Sequence, residues 1–150
     1  MKQRLQDDLT AAIRARDELR SATIRLALSA IKTEEVAGKS ARELSADEII
    51  TVLSKEAKKR KEAADVYRSA GAEDRANNEE AELAVLAEYL PLALTSEEIE
   101  AIVKDAVAQA ASAGLTGMKA MGAVMKVVQP KTLGRADGAE VAALVKQLLT

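Results

Sequence analysis

Residues 89–98 read Tyr-Leu-Pro-Leu-Ala-Leu-Thr-Ser-Glu-Glu, and this stretch decides how the chain is divided. Pro91 has no N–H to donate and its ring clashes with the preceding turn, so a helix arriving from the N-terminal side has to stop before it. Four residues on, Thr95 and Glu98 have the spacing of a capping box. The threonine hydroxyl accepts from a free N–H of the first turn while the glutamate reaches back to the threonine N–H. A stop, a short apolar link and a fresh start predict a boundary between two helical units, residues 1–92 and 93–150.

Working back from the boundary, Leu83, Leu86 and Leu90 mark one face of a fourth helix over about 73–89. A second box, Ser45 with Glu48, opens a long third helix that Gly71 stops. The second helix is expected over 17–37, with Asp17 and Glu18 in its first turn, where the dipole favours acids. Its wide apolar stripe comprises Leu19, Ile24, Leu26, Leu28, Ala30 and Ile31, and Gly38 is expected to end it in a left-handed cap. Leu5, Leu9 and Ile13, four apart, predict a first helix over 2–15.

Working forward, Ile99, Val103, Ala106 and Ala110 predict a fifth helix ending near Gly114. Met118, Met121 and Met125 share one face of a sixth, expected to break at Gln129-Pro130. Asp137, with Glu140 three residues on, caps a seventh that buries Val141, Leu144, Val145 and Leu148. No segment alternates with period two. The expected class is therefore all-α: multihelical, with about four helices in the N-terminal unit and three in the C-terminal one.

Composition narrows the function. The chain has 150 residues, 48% apolar and 31% charged, which describes a globular protein that neither spans a membrane nor stays disordered. It has two tyrosines, Tyr67 and Tyr89, and no Phe or Trp, so little is available to stack on unpaired bases. Without Cys there is no disulfide, thiol nucleophile or zinc-thiolate site, and without His the usual general base and metal ligand are missing. No phosphate-cradling glycine loop or serine–lysine setting stands out, so no catalytic residue, metal ligand or cofactor is assigned. The start, MKQRLQDDL, is charged throughout and unlike a secretory signal, and the cytoplasm is the expected location.

Charge is unevenly spread. The net formal charge is −2, and residues 1–94 hold 16 basic against 18 acidic side chains. Residues 118–150 hold five basic ones (Lys119, Lys126, Lys131, Arg135, Lys146) against Asp137 and Glu140 alone. Such a patch can steer an anion locally. Lys119, Lys126, Lys131 and Arg135 are the candidate nucleic-acid contacts, next to a helix N-terminus whose N–H groups and dipole favour negative charge.

The densest basic run, Lys55 to Glu62, lies inside the third helix. Lys55, Lys58, Lys59 and Glu62 share an outer face and are expected to be solvated, as are Glu79, Glu80 and Glu82. Glu56 and Arg60 instead fall on the side of Ile49, Leu53 and Tyr67. They are four apart and are expected to form a partly buried structural ion pair.

Two stretches together resemble a known family. Leu53-Ser-Lys-Glu-Ala-Lys-Lys-Arg-Lys-Glu62, with Tyr67, Gly71, Glu82-Leu83 and Glu88-Tyr89-Leu90-Pro91, is similar to the middle of the YqeY-like proteins. Met121-Gly122-Ala-Val-Met125 through Gly134-Arg-Ala-Asp-Gly138 is similar to their end. One departure is Gln129-Pro130-Lys131-Thr132-Leu133, where the family reads closer to Met-Pro-Lys-Val-Lys and so carries one more basic residue.

The resemblance implies a domain shared with the C-terminal tail of the B subunit of glutamine-dependent tRNA amidotransferase, and with a module appended to some glutaminyl-tRNA synthetases. It implies contact with the outer corner of tRNA, and as partners tRNA and a tRNA amidotransferase or aminoacyl-tRNA synthetase. Free-standing members carry a carbon–nitrogen ligase label with glutamine as amido donor, inherited from the amidotransferase. The expected function is a monomeric tRNA-binding accessory module, not catalytic alone. The competing expectation is a protein–protein adaptor that uses the methionine row as a deformable contact surface.

Overall fold

Several boundaries of the seven α-helices have a local cause, and the first is one that composition hides. Helix α1, Lys2–Ala15, ends at Arg16, which takes a left-handed conformation (φ 55°) although it is not a glycine. The Arg16 and Asp17 N–H groups then close onto the Ile13 and Ala12 carbonyls, and Asp17 caps α2, Glu18–Val36, by accepting from the Arg20 N–H. One tight turn thus ends one helix and starts the next. Gly38 makes no left-handed cap: α2 ends at Ala37 in right-handed geometry, and the Arg42 N–H returns to the Glu35 carbonyl.

The computed structural model describes residues 1–150, all helix, turn and loop, with no strand. Helix α3, Ala46–Ser69, opens on the reciprocal Ser45–Glu48 box and stops at Gly71, whose φ of 72° suits a residue without Cβ. Helix α4 is Glu73–Ala87, and α5, Ser96–Ser112, opens on the reciprocal Thr95–Glu98 box. A 3-10 turn, Gly117–Ala120, leads into α6, Met121–Thr132, and α7 is Gly138–Leu149. No helix is long and apolar enough to cross a membrane.

Packing sorts the chain into two compact units, Met1–Pro91 and Leu92–Thr150. The first is built on Leu5, Ile24, Ala27, Ile31, Ile49, Leu53, Leu86 and Tyr89, drawn from α1 to α4 and the turn after α4. The second is built on small side chains: Val103, Ala106, Ala110, Ala120, Val124, Val128, Val141 and Val145. Helices brought together by alanine and valine approach closely, as a chain almost without aromatics must arrange.

Three periodicity readings need correction. Ile13 and Leu26 were assigned to buried faces, yet each is about half exposed (49% and 50%). In α2 Ile24 and Ile31 are fully buried, with Thr23 and Ala27 nearly so, and Leu26 lies outside that arc. Pro130 does not break α6, which runs on to Thr132. The proline removes a single ladder bond, to the carbonyl of exposed Lys126, within the last turn. There the Thr132 hydroxyl donates to the Val128 carbonyl (3.1 Å) and the Leu133 N–H to Gln129 (3.0 Å).

The methionine row also divides. Met121 and Met125 lie on α6, half-buried against the second core, whereas Met118 sits in the 3-10 turn and is 50% exposed.

Candidate nucleic-acid interface

No acid occurs between Asp105 and Asp137, in a chain with 24 acidic side chains. This stretch covers the C-terminal part of α5, the 3-10 turn, all of α6 and the loop to α7. Lys119, in the turn, and Lys126, in α6, are both exposed and neither has an ion-pair partner. Seven positions apart, they stand on one side of the rod. Lys131, in the last turn of α6, is also exposed but has Asp105 of α5 at 3.8 Å. An exposed pair at that distance is worth well under about 1 kcal/mol and leaves the ammonium available to a better anion.

Arg135 is held by the backbone. Its Nε donates to the Leu92 carbonyl (2.9 Å), and its own carbonyl accepts from the Leu94 N–H (2.8 Å). The residue therefore secures the segment entering the second unit. That bond uses Nε, and the terminal nitrogens are the part of the guanidinium that would serve an anion. The N–H groups at the start of α7 are not free. The Asp137 carboxylate accepts from Ala139 (2.7 Å) and Glu140 (3.3 Å), so this helix end already holds an anion of its own. Of the elements read from sequence, the lysine side chains are what an external polyanion meets first.

Charges in the first unit are arranged otherwise. Arg60 Nε lies 2.7 Å from Glu82 and 3.7 Å from Glu79 of α4, and its terminal nitrogen lies 3.9 Å from Glu56. The Arg60 Nε–H has no aligned hydrogen bond, so at that nitrogen the attraction is ionic. The partly buried Glu56–Arg60 pair thus exists as the weakest arm of a larger cluster, and Glu56 has Lys59 closer, at 2.6 Å. Glu79 and Glu82 are not solvated acids but clamps between α3 and α4, and Glu80 reaches Arg68 at 2.8 Å. Lys55, Lys58, Lys59 and Glu62 are exposed.

Two further polar centres escaped the periodic reading. Glu35, only 4% exposed, accepts twice from Lys2 Nζ (2.6 and 2.8 Å). The Lys2 bonds hold its carboxyl below the usual carboxylate range, and Lys32 adds to the effect. Tyr89 is buried and donates to Asp8 (2.6 Å) beneath the Arg4 guanidinium, 4.8 Å from the ring centre. Burial first, and the Asp8 bond second, push its hydroxyl up to about 12. Arg20 forks onto Glu88 (2.8 and 2.7 Å), whose carboxyl that contact lowers. Tyr67 has Arg75 over its ring at 5.7 Å. Neither tyrosine offers an unencumbered ring to a base.

Compared with known families, residues 2–149 match the one described as Yqey-like protein. The chain belongs to the YqeY-like family. No curated protein matches it. The match covers both units of this YqeY-like chain, the matched charges of the first and the acid-free stretch of the second.

Proposed function

We propose that this YqeY-like protein is a tRNA-binding accessory module that contacts the outer corner of tRNA through phosphates and so assists tRNA-dependent amidation or aminoacylation. The observation that carries the reading is the pair of exposed, unpartnered lysines, Lys119 and Lys126, on one side of a stretch that holds no acid from Asp105 to Asp137. Lysines without a fixed partner suit phosphate, which positions a complex and carries no sequence information. With neither tyrosine ring open, base stacking contributes little, so binding is modest, similar among tRNAs, and strongly dependent on salt.

The test is a titration of the full chain with unfractionated tRNA at about 50 and about 200 mM salt. Wild type should lose affinity steeply between the two. A Lys119→Ala, Lys126→Ala, Lys131→Ala triple variant, shown folded by its helical signal, should flatten the salt slope by roughly one unit per lysine. Equal binding by that variant would remove the surface from consideration. A protein–protein adaptor would then move ahead, for which Met118 and Leu115, 50% and 41% exposed, are the specific observation.

A further inference from the structure

Gly122 stands on the solvent side of α6 between the two free lysines, at i+3 from Lys119 and i−4 from Lys126. Nothing in the fold requires a glycine there. Its φ is not positive, and a Cβ built on it would meet no atom within 4 Å. Neighbouring Gly117 and Gly134 differ, since both have positive φ and use the freedom that only glycine has. A glycine in a helix weakens it, and one that neither conformation nor crowding explains leaves the backbone open to close approach from outside the chain.

We propose that Gly122 is the point of closest approach of an RNA sugar–phosphate backbone, a side-chain-free notch with Lys119 on one side and Lys126 on the other. The inference rests on the tRNA reading above and deepens it. The missing side chain lets the strand lie against the helix, and the two ammonium groups then reach successive phosphates from either side. A side chain at 122 holds the strand off the backbone and lengthens the contacts of both lysines together. The charges select the ligand class: α6 and the 3-10 turn carry no acid, so neither element repels phosphate.

Gly138 supplies an internal control. It is equally open, with no atom within 4 Å of a built Cβ, but it lies between Asp137 and Glu140. The experiment compares Gly122→Ala, Gly122→Leu, Gly138→Ala and a Lys119→Ala/Lys126→Ala double variant, each titrated with unfractionated tRNA at two salt concentrations and melted. All three glycine replacements should fold, and those at 122 should melt no lower than wild type. Gly122→Leu should weaken tRNA binding several-fold and flatten the salt slope by about as much as the double lysine variant, that is by up to roughly two units. Gly122→Ala should fall between, and Gly138→Ala should bind as wild type.

If Gly122→Leu binds with wild-type affinity and slope while the double lysine variant loses both, the lysine surface stands and the notch is wrong. A loss of affinity with an unchanged slope also overturns it, since the contact would not be to phosphate. Failure of wild type to bind tRNA at the lower salt removes the notch and the tRNA reading together.

Discussion

The two units of this molecule differ in where their charges are matched and where they are left open. In the first, the least exposed charges are matched by side chains from other segments: Arg60 with Glu79 and Glu82, Glu35 with Lys2, Arg20 with Glu88. In the second, Lys119 and Lys126 have no partner, and Lys131 has only a long contact to Asp105. A charge matched within the chain sets the register of helices and is lost to ligands. A charge left open contributes little to stability and remains for a partner. Open basic side chains such as Arg25 and Lys55 also stand on the first unit, but the longest acid-free stretch belongs to the second, which makes it the place to look for binding and ranks the mutational effects expected.

The largest effect should come from Arg60. Exchanging it for methionine leaves Glu56, Glu79 and Glu82 facing one another, each side chain only 14–20% exposed. A stability loss of about 2 kcal/mol in urea unfolding is expected, below the figure for a fully buried pair because some solvent reaches the cluster. Glu56→Gln should cost well under about 1 kcal/mol, since Arg60 keeps two carboxylates and Glu56 is nearer Lys59. Equal losses in the two variants would mean that the cluster does not act through α4. The comparison of units would then lose its firmest example.

A smaller and more diagnostic effect is expected at Arg135. Arg135→Ala removes the donor to the Leu92 carbonyl, and should destabilise the second unit by about 1 kcal/mol while also weakening tRNA binding. Lys126→Ala should weaken binding with no measurable change in stability. If the two behave alike in both measurements, Arg135 belongs with the open lysines and its backbone contact is incidental.

Much of the fold was legible because its punctuation is local. The Ser45 and Thr95 boxes and the left-handed Gly71 and Gly114 are decided within a few residues, and all appear where the sequence puts them. What stayed hidden depends on how neighbouring signals combine, or on contacts far along the chain. Arg16 takes a conformation usually left to glycine because Asp17 at once caps the next helix, while Gly38, placed for that role, is not used for it. Pro130 stays helical because it removes only one ladder bond, to the carbonyl of exposed Lys126, in the last turn. For the site, a shared side for Lys119 and Lys126 follows from spacing alone. The hold of Arg135 on Leu92, 43 residues away, and the occupation of the α7 N–H groups by Asp137 required coordinates.

The smallest expected effect compares the two capping boxes. Glu48 and Glu98 each accept from the N–H of their cap residue at 2.8 Å, but only Glu48 also holds an arginine, Arg42, at 2.6 and 2.9 Å. That arginine first, and the Ser45 N–H next, lower the Glu48 carboxyl from its ordinary 4.5 to about 2. A carboxyl whose folded pKa lies below its unfolded one adds stability that is fully present above the unfolded value and lost as pH falls through the folded one. The window here is therefore about pH 4.5 down to about 2. Glutamine can keep the back-bond of either box but not the charge. Glu48→Gln should thus cost more than Glu98→Gln at pH 7, and the excess should shrink through this window and vanish at its lower end. Urea midpoints of both variants at pH 7, 4 and 2 would read it. A constant excess across the three would place the cost in the geometry of the box, and the charge-matching assigned to the first unit would not extend to its exposed surface.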